Sequence, residues 1–306
     1  MIVGSRGSPL ALVQARLVAG LLGLDESAIR TFTTSGDRIQ GRLQDQGGKG
    51  LFTRELDEAL LNGRIDCAVH SMKDLPTRMP DGIALAAVPA REDPRDGFIA
   101  LRAKTLMDLP PGATVGTASL RRQAQTLHLR PDLKVELLRG RVETRLAKIE
   151  SGGFDATYLA LAGLKRLGLE AHVASVVDEQ AMPPAPAQGA LAITCRADDA
   201  KTLAALTPLN IAEHFIATMA ERAFLQALDG SCRTPIAALA RIESSLLVFL
   251  GEVLTPDGKH RWRRRETVAL GDAPEDAARA LGLKLGAEIV AEAGPLYKAH
   301  FGDNGW

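Results

Sequence analysis

The strongest constraint on the fold is an alternation of short β-like runs with amphipathic helical runs. Residues 2–3 begin a predicted strand, and residues 9–22 form a predicted helix with Ser8 at its N-cap. Residues 52–61 form a second predicted helix, and residues 66–69 a short buried strand. Such alternation is typical of α/β domains with largely parallel sheets. The predicted apolar face of the first helix consists of Leu10, Val13, Leu17 and Leu21.

The same alternation starts again after residue 96. A proline-rich stretch at 183–186 then marks a point where the chain crosses between units, and a strand is predicted over 189–195. The pattern therefore predicts a second α/β unit built from βαβ repeats. Its predicted strands cover 113–115, 134–138 and 154–161, and its predicted helices cover 120–128 and 142–149.

The last part of the chain has a different pattern. Hairpin-like strands are predicted around 246–250 and 262–270, with a turn at 255–258 and a final helix over 274–293. Because 306 residues exceed what one core usually holds, we predict two or three domains, the last a small α+β domain. A helix is also predicted over 211–228, and its apolar face consists of Ile211, Phe215, Met219, Ala223 and Leu225.

The charges and the cysteines limit the class of protein. Lys+Arg and Asp+Glu residues number 37 each, so no net charge favours nucleic acid or an anionic membrane as a partner. The three cysteines lie far apart, which argues against a disulfide framework and suits a reducing cytosol. No apolar run approaches membrane-spanning length, and the first residues lack a signal-peptide pattern. We therefore expect a cytoplasmic protein.

Arginine residues follow several of the predicted strands. Carboxyl ends of parallel strands meet at one edge of a sheet, where helix N-termini also lie, so arginines there predict a cleft for a polyanion, most simply a polycarboxylate. For any single arginine, a surface position or a helix-face ion pair is the better interpretation, but the repeated position weakens that alternative for the set. The residues are Arg6, Arg121, Arg122, Arg139, Arg141 and Arg145.

Lys73 and Asp74 follow another predicted strand. A carboxylate at that edge, among arginines, would be held ionised and could stabilise a developing cation or shuttle a proton. The local sequence by itself favours the simpler interpretation of a turn-capping aspartate. The alternatives stay open at this point.

Two glycine-containing loops also carry candidate residues. The loop at 47–50 contains Lys49 but fails the spacing of a phosphate-binding loop, so a mobile cationic lid is the favoured interpretation. Cys232 lies in a predicted loop beside Arg233, where a nearby cation favours the thiolate. It is therefore a candidate nucleophile or attachment point, and an incidental loop thiol is the alternative.

Nine segments together resemble the porphobilinogen deaminase family, in the order in which that family has them, along nearly the whole chain. One such segment would be weak, but nine in order are specific. The segments are SRGSPLA (5–11), GGKGLF (47–52), AVHSMKDLP (68–76), REDPRD (91–96), GTASLRRQ (116–123), LRG (138–140), AGLKRLG (162–168), QGA (188–190) and GSCRTPI (230–236).

The resemblance implies an α/β fold with two periplasmic-binding-protein-like domains, a double chain crossover and a small α+β C-terminal domain. The implied boundaries are 1–92 with 190–208, 96–184, and 212–306. The implied activity is that of hydroxymethylbilane synthase: four porphobilinogen units are joined head to tail, with loss of ammonia, and the linear tetrapyrrole is released by hydrolysis. The implied cofactor is a dipyrromethane joined to Cys232 by a thioether. We expect a monomer that binds no nucleic acid, membrane or metal.

The resemblance also implies roles for individual residues. Asp74 matches the family's catalytic carboxylate. Asp45 and Ser231 depart from the common pattern, which leaves the loop contacts and the surroundings of the cysteine less defined. The implied cofactor-binding residues are Cys232, Lys73, Asp74, Ser119, Arg121, Arg122 and Gly189, and the implied substrate-binding residues are Arg6, Ser8, Lys49, Phe52, Arg139, Arg145, Arg166 and Gln188.

Two other functions are compatible with parts of the pattern. A non-catalytic solute-binding or sensor module could have the same fold, because fold alone does not determine function. It would need neither Asp74 nor Cys232. A phosphotransferase with a phosphate-binding loop is the second alternative, and the failed motif at 47–50 disfavours it.

Overall fold

The computed structural model describes residues 1–38, 50–228 and 234–301. Helices follow most of its strands through the first 206 residues, and the strands near the C-terminus are consecutive, as the sequence pattern predicts. In chain order the described strands are β1 (Val3–Arg6), β2 (Ile29–Phe32), β3 (Cys67–Ser71), β4 (Ile83–Ala87), β5 (Asp96–Ala100), β6 (Thr114–Gly116), β7 (Lys134–Glu136), β8 (Ala156–Ala160), β9 (Ser175–Val176), β10 (Leu191–Arg196), β11 (Ile236–Glu243), β12 (Leu246–Leu254) and β13 (Arg261–Ala269).

The helices connect these strands. Among the described helices, none combines the length and the apolar character that a membrane crossing requires. In chain order they are α1 (Pro9–Leu21), α2 (Ser35–Arg38), α3 (Arg54–Leu61), α4 (Leu120–Leu129), α5 (Val142–Glu150), α6 (Leu161–Leu167), α7 (Ala200–Leu206), α8 (Ala212–Ala227) and α9 (Pro274–Phe301).

Contacts divide the chain into two compact units. The first comprises Met1–Glu92 and Gln188–Ile216, and the second comprises Asp93–Ala187 and Ala217–Trp306. The C-terminal strands β11 to β13 form an antiparallel sheet of their own and fall within the second unit. The three-domain boundaries given above stay a prediction.

The two five-stranded sheets share one strand arrangement. The order is β2-β1-β3-β10-β4 in the first unit and β7-β6-β8-β5-β9 in the second. The first three strands of each order are parallel, and the fourth is antiparallel to both of its neighbours. In each sheet this antiparallel strand is the first one after the chain enters from the other unit. The predicted fold class is therefore confirmed, with two domains of the periplasmic-binding-protein kind, a double crossover and a small C-terminal sheet domain.

Helix α1 begins where predicted but buries a different face. The Ser8 hydroxyl accepts a hydrogen bond from the Ala11 N–H at 3.3 Å, which confirms the predicted N-cap. The predicted apolar face is wrong, because Leu17 is 44% and Leu21 55% exposed. Small side chains let the helix lie close to β1 and β3, and bulky leucines would hold it away. The buried residues are Ala11, Gln14, Ala15, Val18 and Ala19.

Helix α8 and the strand after it also depart from the sequence pattern. The predicted face of α8 is only partly correct, because Ile211 is exposed whereas Ile216 and Phe224 are buried. Strand β11 was not predicted at all. Its buried half contains three alanines, and alanine is a weak indicator of β structure.

Candidate active site

The predicted site residues lie in both units. Lys49 and Cys232 lie outside the described residues, so the structure gives no account of them. Arg6, Ser8, Phe52, Lys73, Asp74, Gln188 and Gly189 belong to the first unit, and Ser119, Arg121, Arg122, Arg139, Arg145 and Arg166 belong to the second.

In the first unit, Arg6 lies between two carboxylates at the ends of neighbouring strands. It ends β1, and Asp37 follows β2 whereas Asp74 follows β3. Arg6 Nη2 donates a short hydrogen bond to Asp37 Oδ1, and Arg6 Nε donates to Asp37 Oδ2 at 3.3 Å. Arg6 Nη1 lies 3.8 Å from Asp74 Oδ2. Arg6 and Asp74 thus meet at one edge of the sheet, as predicted from their positions after strands, and the sheet order adds Asp37, which was not predicted.

Aromatic and polar contacts hold Arg6 and Asp37 further. The guanidinium carbon of Arg6 lies 4.3 Å from the ring centroid of Phe52, within cation–π range. Burial by itself would raise the pKa of Asp37. Hydrogen bonds from Arg6 and Thr34 oppose it and hold the pKa below its usual range. Asp37 is therefore ionised at neutral pH.

Asp74 lies in a tight helical turn, Met72–Asp74, directly after β3. Met72 is fully buried and fixes the turn to the core, and 30% of the Asp74 side chain is exposed. Lys73 is half-buried in the same turn. The carboxylate is thus rigidly placed at the sheet edge and still accessible, which suits a group that meets a ligand.

Gln188 and Gly189 lie where the chain re-enters the first unit. Gln188 is buried, and its carbonyl accepts a hydrogen bond from Arg91 Nε at 2.9 Å. Gly189 has a φ of 88°, a conformation that favours glycine, and its carbonyl accepts from the Glu92 N–H at 3.3 Å. These contacts join the two segments of the first unit.

In the second unit, two arginines share one buried carboxylate. Arg122 donates to Asp96 through Nε at 3.1 Å and Nη2 at 2.7 Å, and Arg121 Nη2 donates to it at 2.8 Å. Arg121 Nη1 also donates to Gln125 Oε1 at 2.9 Å. Arg121 is 4% and Arg122 6% exposed. Asp96 was not predicted as their partner from the sequence.

Arg139 and Arg145 lie near this pair without a carboxylate of their own in the recorded contacts. Arg145 Nε donates to the Gly140 carbonyl at 2.9 Å. Burial, together with the positive charges of Arg122 and Arg139, lowers the pKa of Arg145 to about 10. Within the described residues, Arg139 Nη1 is buried and has no hydrogen-bond partner. A buried unpaired guanidinium nitrogen among like charges is suited to bind an anion.

The remaining predicted residues lie at helix ends. The Ser119 hydroxyl caps α4 by accepting a hydrogen bond from the Arg122 N–H at 3.4 Å. Such a capping hydroxyl still has its own hydrogen to donate to a carboxylate. Arg166 is half-buried in the last turn of α6.

Each unit thus combines guanidinium groups with backbone groups at the carboxyl ends of its parallel strands, and the first unit adds an accessible carboxylate. Within either unit, such a set of cations is suited to bind a multiply acidic ligand. No group of three His, Cys, Asp or Glu residues suited to a metal ion occurs in the described ranges.

Comparison with known proteins identifies the family. A family model described as "Porphobilinogen deaminase, dipyromethane cofactor binding domain" matches residues 1–204, and "Porphobilinogen deaminase, C-terminal domain" matches residues 215–291. A porphobilinogen deaminase of Caulobacter sp. (strain K31) is 52% identical over 96% of this chain and 96% of its own. One of Phenylobacterium zucineum (strain HLK1) is 50% identical over 95% of this chain and 96% of its own. The chain therefore belongs to the porphobilinogen deaminase family, as its motifs predict.

Among solved structures, a periplasmic substrate-binding protein of an ABC transporter from Coxiella burnetii is similar at 15% identity and a TM-score of 0.41, over 68% of this chain and 92% of that one. The family assignment depends on the sequence matches alone. It contradicts both alternative functions, the solute-binding module and the phosphotransferase.

Proposed function

We propose that Asp74 and the guanidinium groups at the two sheet edges carry out the family's reaction in this chain. The enzyme is a transferase of tetrapyrrole and haem biosynthesis. It joins four porphobilinogen units head to tail on a dipyrromethane primer, with loss of ammonia at each step, and releases hydroxymethylbilane. Every pyrrole unit brings an acetate and a propionate group. The ligand is therefore a polycarboxylate whose charge grows with length.

The observation that carries the proposal is the unneutralised positive charge in the second unit. Arg139 Nη1 is a buried donor without a partner in the described residues, and Arg122 and Arg139 each repel the guanidinium group of Arg145. A carboxylate placed there gains charge-assisted hydrogen bonds and removes the repulsion. An acetate or propionate group of an incoming porphobilinogen unit fits this donor set.

The residues that would hold the dipyrromethane are those implied by the resemblance. Lys73 and Gly189 belong to the first unit, and Ser119, Arg121 and Arg122 to the second. When bound, the dipyrromethane supplies the pyrrole carbon at which the chain starts. Because Asp96 already binds Arg121 and Arg122, we propose that these two act mainly as a fixed source of positive charge.

Substrate carboxylates are assigned to Arg6, Arg139, Arg145 and Arg166. Ser8 supports this role at the start of α1, where its hydroxyl still has a hydrogen to donate. Phe52 lies against Arg6 and restricts it. Gln188 lies in the same unit, and Lys49 is assigned to the same binding function from the family pattern.

Asp74 acts on the positive charge of the reaction. When porphobilinogen loses ammonia, its pyrrole ring becomes a cation that is delocalised onto the ring N–H. A carboxylate can accept a hydrogen bond from that ring N–H. The bond strengthens as positive charge develops on the ring, so the transition state is stabilised more than the ground state. An accessible carboxyl group held at the sheet edge is what this step requires.

We further propose that the enzyme works as a monomer in the cytoplasm. Cys67 and Cys195 lie opposite each other on paired strands and are both buried free thiols, which supports a reducing compartment. The balanced charge of 37 basic and 37 acidic residues supports a small-molecule substrate rather than nucleic acid. Sedimentation at micromolar concentration should give the mass of one chain.

The role of Asp74 is tested by Asp74→Asn, with Asp81→Asn as the matched control. Asp81 is an exposed aspartate in a nearby loop, so its substitution should leave the rate unchanged. Asp74→Asn should lower kcat by at least about 100-fold while the melting temperature stays close to that of the wild type. A near-normal rate for Asp74→Asn would show that the assignment is wrong.

The role of Cys232 is tested by intact mass. The purified protein should be heavier than its sequence by one dipyrromethane, and Cys232→Ser should lack the added mass. Cys195→Ala is the control, because Cys195 is a buried thiol in β10. Added mass on Cys232→Ser would overturn the assignment of the attachment point.

A further inference from the structure

We propose that Asp37 is a positioning residue that holds Arg6 away from Asp74 and so keeps the Asp74 carboxylate available to the substrate. The inference rests on the role proposed for Asp74. The Arg6 guanidinium group lies between Asp37 and Asp74. It forms hydrogen bonds with Asp37 and only a longer ion pair with Asp74.

Asp37 is well suited to hold Arg6. Its Oδ1 accepts from Arg6 Nη2, and its Oδ2 accepts from Arg6 Nε, so the two groups form a bidentate pair. The same Oδ2 accepts from the Thr34 hydroxyl at 2.7 Å and from the Thr34 N–H at 3.2 Å. The carboxylate is thus fixed to the backbone just after β2, and it fixes the plane of the guanidinium group.

The bidentate pair leaves one edge of Arg6 for other partners. Nη1 lies 3.8 Å from Asp74 Oδ2, which is within ion-pair range but too long for a hydrogen bond. Phe52 covers one face of the guanidinium group, so Arg6 has little freedom to rotate. Arg6 therefore offers Nη1 to a ligand carboxylate while its other edge stays with Asp37.

The 3.8 Å separation matters because of what a closer pair would do. A guanidinium group bound to Asp74 would occupy the oxygen lone pairs that a pyrrole N–H needs. It would also neutralise the negative charge that the cation needs. In the described structure the only charged group recorded within 4 Å of the Asp74 carboxylate is Arg6. A second acid that binds Arg6 is the simplest device to prevent the closer pair.

Other groups near Arg6 do not replace Asp37. His70 is fully buried beneath the site, and burial together with the charge of Arg6 lowers its pKa to about 4, so it is neutral at pH 7. The Glu55 carboxylate accepts hydrogen bonds from the N–H group of Ser35, at 2.8 Å, and from its hydroxyl. Lys73, next to Asp74, is itself a cation. Asp37 and Asp74 are the two anions recorded within ion-pair distance of Arg6 in the described residues.

The test is a double-mutant cycle on the full-length holoenzyme with Asp37→Asn and Arg6→Gln. Asp37→Asn should lower kcat at least about 10-fold, because Arg6 then pairs with Asp74, and should also raise KM, because Nη1 no longer meets the ligand carboxylate. In the Arg6→Gln background, Asp37→Asn should cause no further loss beyond about twofold. Asp37→Glu, which keeps the charge, should restore kcat to within about threefold of the wild type.

Glu26→Gln is the matched control, because Glu26 binds Arg16 in an exposed pair at 2.6 Å away from the site. The proposal is wrong if Asp37→Asn keeps the wild-type kcat, or if its loss adds in full to that of Arg6→Gln. It is also wrong if kcat falls only in proportion to the folded fraction measured by circular dichroism. Asp74→Asn in the same assay separates the two claims. If Asp74→Asn is active, the role proposed for Asp74 is wrong. If Asp74→Asn is inactive while Asp37→Asn keeps the wild-type kcat, only the role proposed for Asp37 is wrong.

Discussion

Arg122 binds Asp96 through two nitrogen atoms, Nε to Oδ2 at 3.1 Å and Nη2 to Oδ1 at 2.7 Å. Arg121 binds the same carboxylate, and the Asp96 side chain has no exposed surface. One negative charge therefore faces two buried positive charges. Arg121, Arg122 and Asp96 together thus carry one excess positive charge, and they do so in the folded second unit without a bound ligand.

Removing the shared carboxylate should strongly destabilise the fold. Asp96→Ala leaves two buried guanidinium groups without their carboxylate, and breaking a buried pair in this way costs about 3–5 kcal/mol. The free energy of unfolding from urea denaturation checks this. Asp132→Ala removes the partner of Arg130 in a pair whose acid is 39% exposed, and should cost far less than Asp96→Ala. Equal costs for the two variants would contradict the account.

Arg139 and Arg145 should contribute to binding rather than to stability. Each group lacks a carboxylate partner among the recorded contacts, so Arg139→Gln and Arg145→Gln should each raise KM for porphobilinogen by about 10-fold or more. Lys148→Gln, an exposed cation further along α5, is the control and should leave KM unchanged. If the control raises KM as much, the effect is one of general charge and the assignment fails.

His70 should make stability depend on pH between about 4 and 6.5. Burial, with a contribution from Arg6, lowers the pKa of His70 to about 4 in the folded state. Below pH 6.5 the unfolded chain binds a proton that the folded chain does not, so stability is lost as the pH falls through this window. The loss totals about 3 kcal/mol at about 1.4 kcal/mol per pKa unit.

His70→Gln should flatten this part of the pH dependence. The ring Nε2 lies 3.2 Å from the Thr194 hydroxyl, and glutamine can keep a polar contact there. The measurement is the unfolding free energy of the wild type minus that of the variant, taken once at pH 7 and once at pH 4.5. The contributions of the other titrating groups are the same in both proteins and largely cancel in this difference. An unchanged difference at the two pH values would refute the neutral, buried state of His70.

Two glycines should respond to alanine in opposite directions. At Gly282 in α9 an added Cβ would clash with the carbonyl oxygen of Ala220 in α8, so Gly282→Ala should destabilise by about 1–3 kcal/mol. At Gly20 in α1 a Cβ would meet nothing within 4 Å, so Gly20→Ala should stabilise by about 0.5–1 kcal/mol through helix propensity. Thermal unfolding of the two variants decides. A stabilising Gly282→Ala would show that α8 and α9 lie further apart.

The positions of the site residues could be predicted because they follow from chain order. Arg6 directly ends a strand, and Arg139 follows one closely. Both residues therefore lie at the carboxyl end of a strand whatever the order of strands in the sheet. Asp74 is placed by the same argument. The strong alternation of residues 113–161 made the second unit predictable for the same reason.

The partners of these residues could not be predicted. Asp37 is 31 residues from Arg6, and Asp96 is 26 residues from Arg122, and both pairs arise only when strands pack in a particular order. The buried face of α1 was missed for a related reason, because close packing on a sheet selects alanine over leucine, against the hydrophobic pattern.

The most direct test of the central claim is whether Asp74 is needed for coupling rather than for binding. Intact mass, followed over time after mixing with porphobilinogen, measures coupling alone. The wild type should gain mass in whole pyrrole units, and Asp74→Asn should gain them at least about 100-fold more slowly while it keeps the mass of its primer. If Asp74→Asn gains the same units at the wild-type rate, the positive charge of the reaction is stabilised elsewhere and the account is contradicted.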